Sequence, residues 1–199
     1  MGPLKGVFYA NNLLSATDFE TILVHKETIV NKRDKSIEIS SEGIVTESLD
    51  TKVFMGSVVN YQFDIDSFEP YIGKPFIFLM ERIKKWLVDY GLNDPKPYMV
   101  RCYRNNQITP WHRHGVLSGV TPPNHWVVIY YMHPNWNPIH GGKLNVSIIE
   151  TEPLYSFDTL SNTIVCHNGY YGHGVSDLKL GYQGDRDLFL SHWVTKQLT

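Results

Sequence analysis

The chain has little cysteine. Cys102 and Cys166 are its whole complement in 199 residues, and both sit inside apolar runs. A disulfide framework needs more pairs than that, so both are expected as buried free thiols. Long apolar runs are missing as well. No stretch approaches the roughly 20 residues that cross a bilayer, and the first residues lack the charged-then-apolar pattern of a secretory leader. Met1, Gly2 and Pro3 are not followed by the Ser or Thr of a myristoylation signal. These absences lead to the expectation of a cytoplasmic protein with no membrane partner. Charge of one sign is also missing. Eighteen Lys and Arg against twenty Asp and Glu leave a net charge of −2, which gives no electrostatic attraction for nucleic acid or an anionic membrane.

What the chain does have is aromatic side chains, twelve Tyr and five Trp among them, at 42% hydrophobic and 19% charged residues. That balance fits a globular, β-rich protein. The length suffices for one domain with a substantial core. We expect a single domain over 1–199, with 1–95 as helical support and outer strands and 96–199 as the β-rich core.

Two helices are expected in the first half. Ser15 is a good N-cap for a helix over Ala16–Glu27, and Asp18 adds negative charge to its first turn. Phe19, Ile22, Leu23 and Lys26 share one face, with Lys26 as a snorkelling edge. Residues 31–52 read as loops with short strands. Phe76, Met80, Ile83, Leu87 and Tyr90 recur at helical spacing, and Gly91 stops that helix ahead of Pro95 and Pro97. After Pro97 the apolar runs become short and β-branched or aromatic: Tyr98–Tyr103, Trp126–Met132, Leu144–Ile149, Thr163–His167 and Leu188–Thr195. Turn-forming residues separate them, such as Pro122-Pro123-Asn124 and Gly141-Gly142. Helices first and strands second argue for an α+β chain with a β-sandwich or barrel.

Eight of the nine histidines fall in this second half. His125, His133, His140, His167 and His192 read as ordinary hydrogen-bonded or surface residues. His112 and His114 stand apart because residues i and i+2 of a strand point to one face and can offer two imidazoles to one ion. His173, in Gly172-His173-Gly174-Val175 some sixty residues later, is the candidate third ligand. Three protein ligands with positions left open suit a redox iron that binds substrate or oxygen.

Four segments, in order, resemble the iron(II)- and 2-oxoglutarate-dependent oxygenases, particularly the prolyl-hydroxylase-like branch. They are Val100–Tyr103 through Trp111–Gly115, Val127–Trp136 with Gly141–Leu144, Thr163–His167 through Gly172–Val175, and Gly184–Arg186 with Leu188–Trp193. The resemblance spans roughly residues 96–195. It implies a double-stranded β-helix with supporting N-terminal helices, Fe(II) held by His112, His114 and His173, and 2-oxoglutarate as co-substrate, with ascorbate as a candidate reductant. It also implies that Arg186 grips the far carboxylate of 2-oxoglutarate, a task suited to a guanidinium, which stays charged when desolvated. The substrate class it suggests is a prolyl or other peptide side chain, or a small molecule.

Two positions depart from the family pattern. The second metal position is usually Asp or Glu and here is His114, a change that phage-associated oxygenases of the superfamily also show. Leu188 stands where a Ser or Thr often helps bind the co-substrate, a task that Tyr103 or Tyr131 could take over. Two other readings stay open. A cupin-type three-histidine dioxygenase would not need Arg186 and would want a glutamate soon after His-x-His, where Gly115–Gly119 has none. A non-catalytic β-barrel module would need neither the histidines nor Arg186. Trp111, Trp126 and Trp136 are candidates for the mouth of the site, with barrel packing as the other reading.

Overall fold

The structure, a computed structural model, describes residues 6–29, 36–39, 45–48, 69–104, 111–113, 124–147, 155–176 and 186–196. A strand β1 (Val7–Asn11) opens the chain, and helix α1 (Ala16–Ile29) follows it. Ser15 caps α1: its Oγ accepts from the Asp18 amide at 3.2 Å, satisfying one of the helix's open amides, and donates to the Asp18 carboxylate at 2.7 Å. Ile22 and Lys26 are its buried positions, with Phe19 packed beside them. Lys26 does not snorkel to water. It is 5% exposed and forms an ion pair with Asp187, which is 1% exposed. Strands β2 (Ser36–Ile39) and β3 (Val45–Ser48) form a hairpin in the region read as loops with short strands.

Helix α2 (Glu69–Asp89) is broken at Gly73, whose φ of 72° and ψ of 164° are not helical. The regular part therefore begins beside Pro75, where a missing amide costs nothing. It ends as the sequence suggested: the Gly91 amide donates to the Val88 carbonyl at 2.8 Å and the Leu92 amide to the Leu87 carbonyl at 3.1 Å, the paired closure typical of a glycine stop.

The remaining strands are β4 (Lys96–Arg104), β5 (His125–Tyr131), β6 (Leu144–Ser147), β7 (Tyr155–Phe157), β8 (Thr163–Asn168), β9 (Gly172–Val175) and β10 (Asp187–Val194). They make two antiparallel sheets. A seven-stranded sheet runs β1-β8-β5-β10-β4-β2-β3, and a three-stranded sheet runs β7-β6-β9. Side chains alternate faces along a strand, and here both faces of the central strands are dry. Val128, Tyr130, Met132, Ile164, Cys166, Phe189 and Trp193 pack toward α1 and α2. Val127, Ile129, Tyr131, Val165, Leu188 and Leu190 pack instead with Leu144 and Val146 of the smaller sheet. That is why these strands read as unbroken apolar runs rather than alternating ones. Cys166 is a buried free thiol, as expected; the Cys102 side chain lies outside what is described. No helix among the described residues is long and apolar enough to cross a membrane.

Candidate metal and co-substrate site

The inner face, between the two sheets, collects the histidines. His112 forms an isolated antiparallel bridge with His173 on β9. The His112 amide donates to the His173 carbonyl at 3.0 Å, and the His173 amide returns the bond at 2.9 Å. Directly opposed residues of an antiparallel pair project to the same side. The two imidazoles accordingly meet with centroids 4.2 Å apart. His173 also stands opposite Val146 of β6, so this side is the core-facing one. His173 is 4% exposed, and His112 is half-buried.

A third imidazole comes from the opposite sheet. His167 on β8 lies in a cross-strand row with Val7, Val127 and His192. It is fully buried, and its ring centroid is 4.6 Å from that of His173. The sequence offered it as an ordinary hydrogen-bonded histidine, and half of that holds. Its Nδ1 bonds the Asn168 carbonyl at 2.9 Å, while Nε2 is buried with no hydrogen-bond partner among the described residues. Leaving such a group unsatisfied costs about 1–3 kcal/mol. Burial pushes His167 down to about 4; the Asn168 bond opposes that shift, and the proximity of His112 adds to it. The ring is therefore neutral at physiological pH.

Farther along the same face, His125 Nε2 and His192 Nδ1 are hydrogen-bonded at 2.9 Å, with rings stacked at 18°, and Tyr98 tilts against both. Gly169 makes room for this pair: a Cβ there would fall 2.1 Å from His125 Nδ1. Burial, with His167 nearby, lowers His125 to about 3.

Arg186 occupies the other end, immediately before β10. Strand alternation puts it on the face of Leu188 and Leu190. It is 0% exposed, and one guanidinium nitrogen donates to the Gly142 carbonyl at 3.1 Å. A fully buried guanidinium is costly to desolvate and suits an anion-binding role. Tyr131 is buried on this face, its ring 5.6 Å from that of His133. In the sheet register Leu188 lies between Tyr131 on one side and Tyr103 on the other; the Tyr103 side chain lies outside what is described. His133 Nε2 donates to the Thr159 carbonyl, and burial lowers its pKa to about 4, with Arg186 among the contributing charges.

His114 lies outside the described residues. Among the described residues, no group of three His, Cys, Asp or Glu is arranged to hold a metal ion. Two of the three expected ligands are thus brought together, with nitrogen donors that fit a divalent transition metal. Trp126 is not at the site. It packs toward the helices, stacked on Phe8 at 5.5 Å, and its indole donates to Thr195. Trp136 is buried beside His133, with centroids 5.1 Å apart.

No family model matches the sequence, and no curated protein does either. Solved structures do match. An oxidoreductase of the 2OG-Fe(II) oxygenase family from Burkholderia pseudomallei superposes with a TM-score of 0.62 at 13% identity, covering 96% of this chain and 84% of that one. The fold is that of the 2OG-Fe(II) oxygenases. A viral collagen prolyl hydroxylase from Paramecium Bursaria Chlorella virus-1, in its 2OG complex, covers 98% of both chains at 11% identity and a TM-score of 0.58. HygX from Streptomyces hygroscopicus, with nickel and 2-oxoglutarate bound, has a TM-score of 0.57 at 11% identity, covering 98% of this chain and 84% of that one. The oxygenase fold thus accounts for the helix-backed large sheet and the smaller sheet facing it, and the sequence resemblance pointed to it.

Proposed function

We propose that residues 1–199 act as one Fe(II)- and 2-oxoglutarate-dependent oxygenase domain on a double-stranded β-helix, hydroxylating an unactivated C–H with release of succinate and CO2. The observation that carries this reading is the two-way backbone bridge setting His112 and His173 side by side on the face that also buries Arg186. His112, His114 and His173 hold the metal in this reading, and Arg186 takes the far carboxylate of 2-oxoglutarate, with Tyr103 and Tyr131 flanking Leu188 as hydroxyl donors. Bound Fe(II) supplies the oxygen chemistry. The protein's own share is placement. Arg186 fixes one end of the co-substrate, the histidines fix the other, and the apolar inner core excludes water and strengthens both contacts.

The solved oxygenases that share this fold include prolyl hydroxylases, which supports a peptide side chain as the substrate, with a small molecule as the other class. Ascorbate would serve as reductant. The buried guanidinium weighs against a cupin-type dioxygenase, which has no use for it, and against a bare scaffold. The deciding experiment is anaerobic titration with Fe(II) and 2-oxoglutarate, followed by succinate measurement in air. The parent should bind both stoichiometrically and release succinate. His112→Ala and His173→Ala should each lose metal binding. His114→Ala should weaken it strongly, and an affinity within about threefold of the parent, under 0.7 kcal/mol, removes His114 from the ligand set.

A further inference from the structure

His167 carries a buried lone pair with no partner among the described residues, beside His173. Its Nδ1 faces the Asn168 carbonyl oxygen at 2.9 Å. A carbonyl oxygen only accepts, so the ring hydrogen sits on Nδ1 and Nε2 is the bare nitrogen. That nitrogen is buried and has no hydrogen-bond partner among the described residues. The side chain is 0% exposed and points from the large sheet into the space between the sheets, where the His173 ring lies 4.6 Å away at a tilt of 52°. The two rings are in contact and short of a hydrogen bond. Nor is His167 set as a third ligand with His112 and His173.

We propose that His167 is the positioning residue for His173: its Nε2 accepts the ring N–H of His173 when the other nitrogen of His173 binds the metal. The inference rests on the assignment of His112 and His173 as ligands. A ligating imidazole gives its lone pair to the metal through one nitrogen and must carry its hydrogen on the other. An acceptor for that hydrogen fixes the tautomer and the ring orientation and raises the basicity of the ligand. His167 is prepared for this by the Asn168 bond, which yields a chain of carbonyl, imidazole and imidazole ending at the metal. The protein already builds an imidazole–imidazole hydrogen bond of this kind between His125 and His192, at 2.9 Å on the same face.

The test uses Cu(II) as the probe, added to the full chain and to His167→Leu and His167→Gln. Leu removes the acceptor at similar bulk, and Gln supplies an amide oxygen in its place. His167→Leu should bind Cu(II) some 10–100-fold more weakly, as loss of an outer-shell partner typically does, and Gln should recover most of that loss. Pulsed EPR of the Cu(II) protein should show the same number of coordinated imidazoles in all three. The remote-nitrogen quadrupole coupling of one of them should change in Leu, because that coupling responds to the hydrogen bond on the non-ligating nitrogen. Should His167→Leu fail to fold, the coupling in His167→Gln decides, since an amide oxygen and an imidazole nitrogen give different values. Parent-like affinity and coupling in a folded Leu variant, or a parent-like coupling in Gln alone, overturns the proposal. Loss of one coordinated imidazole also overturns it, by making His167 itself a ligand. A parent that takes up no Cu(II) overturns the oxygenase reading and this inference with it, whereas a parent that binds while both variants match it overturns only the role of His167.

Discussion

On the helix-facing side of the seven-stranded sheet, the buried polar side chains close on one another or on nearby backbone. Tyr130 donates to Asn162 at 2.8 Å, Asn162 bonds both the amide and the carbonyl of Leu14, Trp193 donates to Ser191 at 2.8 Å, and Lys26 pairs with Asp187. On the inner side, a guanidinium is fully buried at one end and an imidazole nitrogen faces inward with no described partner at the other. Both sides are equally dry. The difference is that one face ties its polar groups to one another and to nearby backbone, while the other, beside the closed His125–His192 pair, buries a guanidinium and, at His167, a nitrogen with no hydrogen-bond partner among the described residues. Groups whose burial costs stability without a local return are where function is expected.

Four measurements sharpen or break this contrast, in falling order of expected effect. Asp187→Ala removes the buried partner of the Lys26 ammonium and leaves it, among the described residues, only the exposed Glu27 carboxylate, 3.5 Å away. Removing one partner of a buried pair costs about 3–5 kcal/mol, so the melting temperature should drop sharply. A drop of only a degree or two would mean that the helix side is not built on that pair. Arg186→Met, by contrast, removes a buried charge at similar length. It should raise the KM for 2-oxoglutarate by roughly a hundredfold, about 2.8 kcal/mol at about 1.4 per decade, and lower the melting temperature less than Asp187→Ala does. Arg186→Lys should be intermediate, since an ammonium cannot form the two-pronged contact. If Arg186→Met instead binds 2-oxoglutarate like the parent, the inner face has lost its main functional claim.

The third measurement is stability against pH. His125 and His133 are held neutral by burial, with pKa values lowered to about 3 and about 4 from 6.5. The unfolded chain therefore binds more protons than the folded one between those limits, and stability must fall as pH drops. Their contribution is complete above about pH 6.5 and is lost progressively toward pH 4, at a slope of up to about 1.4 kcal/mol per pH unit for each imidazole. Denaturant midpoints measured from pH 7.5 to 4.5 should show that slope, and a flat profile would mean the inner histidines are open to water. The smallest effect is expected from Ile164→Val on the helix side, about 0.5–1.5 kcal/mol, with 2-oxoglutarate affinity unchanged. A co-substrate defect there would show that the two faces are not energetically separate.

Much of this architecture is legible in the sequence. The caps at Ser15 and Gly91 are local chemistry, so the start of α1 and the end of α2 are legible, whereas the turn of α2 from Glu69 to the break at Gly73 lies ahead of the span read from Phe76. Strands β4, β5, β8 and β10 were found because β-branched and aromatic runs carry their own signal. β1 and β9 were harder. β1 is five residues beside a helix, and β9 has glycine at two of its four positions, so local preference says little. That His112 and His173 belong together followed from the family resemblance of their motifs. His167 did not, because nothing in Thr163–Asn168 distinguishes it. What identifies it is register, shared with Val127 and His192 across three strands. A sequence clue existed in alternation, since Val165 and His167 share a face, but which face that was depended on the partner sheet. Lys26 was misread for a similar reason: its partner, Asp187, lies at the other end of the chain.

The bridge between His112 and His173 joins points some sixty residues apart with two backbone hydrogen bonds. In a chain with two cysteines and no disulfide among its described residues, an ion gripped by both imidazoles, as proposed, would play the part of a removable cross-link. It ties down a long loop in the native state alone and stabilises the fold in proportion to the logarithm of its free concentration. Chelation should then act on this protein as reduction acts on a disulfide-bonded one. The stretch that carries His112 should loosen first, leaving the helix-backed sheet standing.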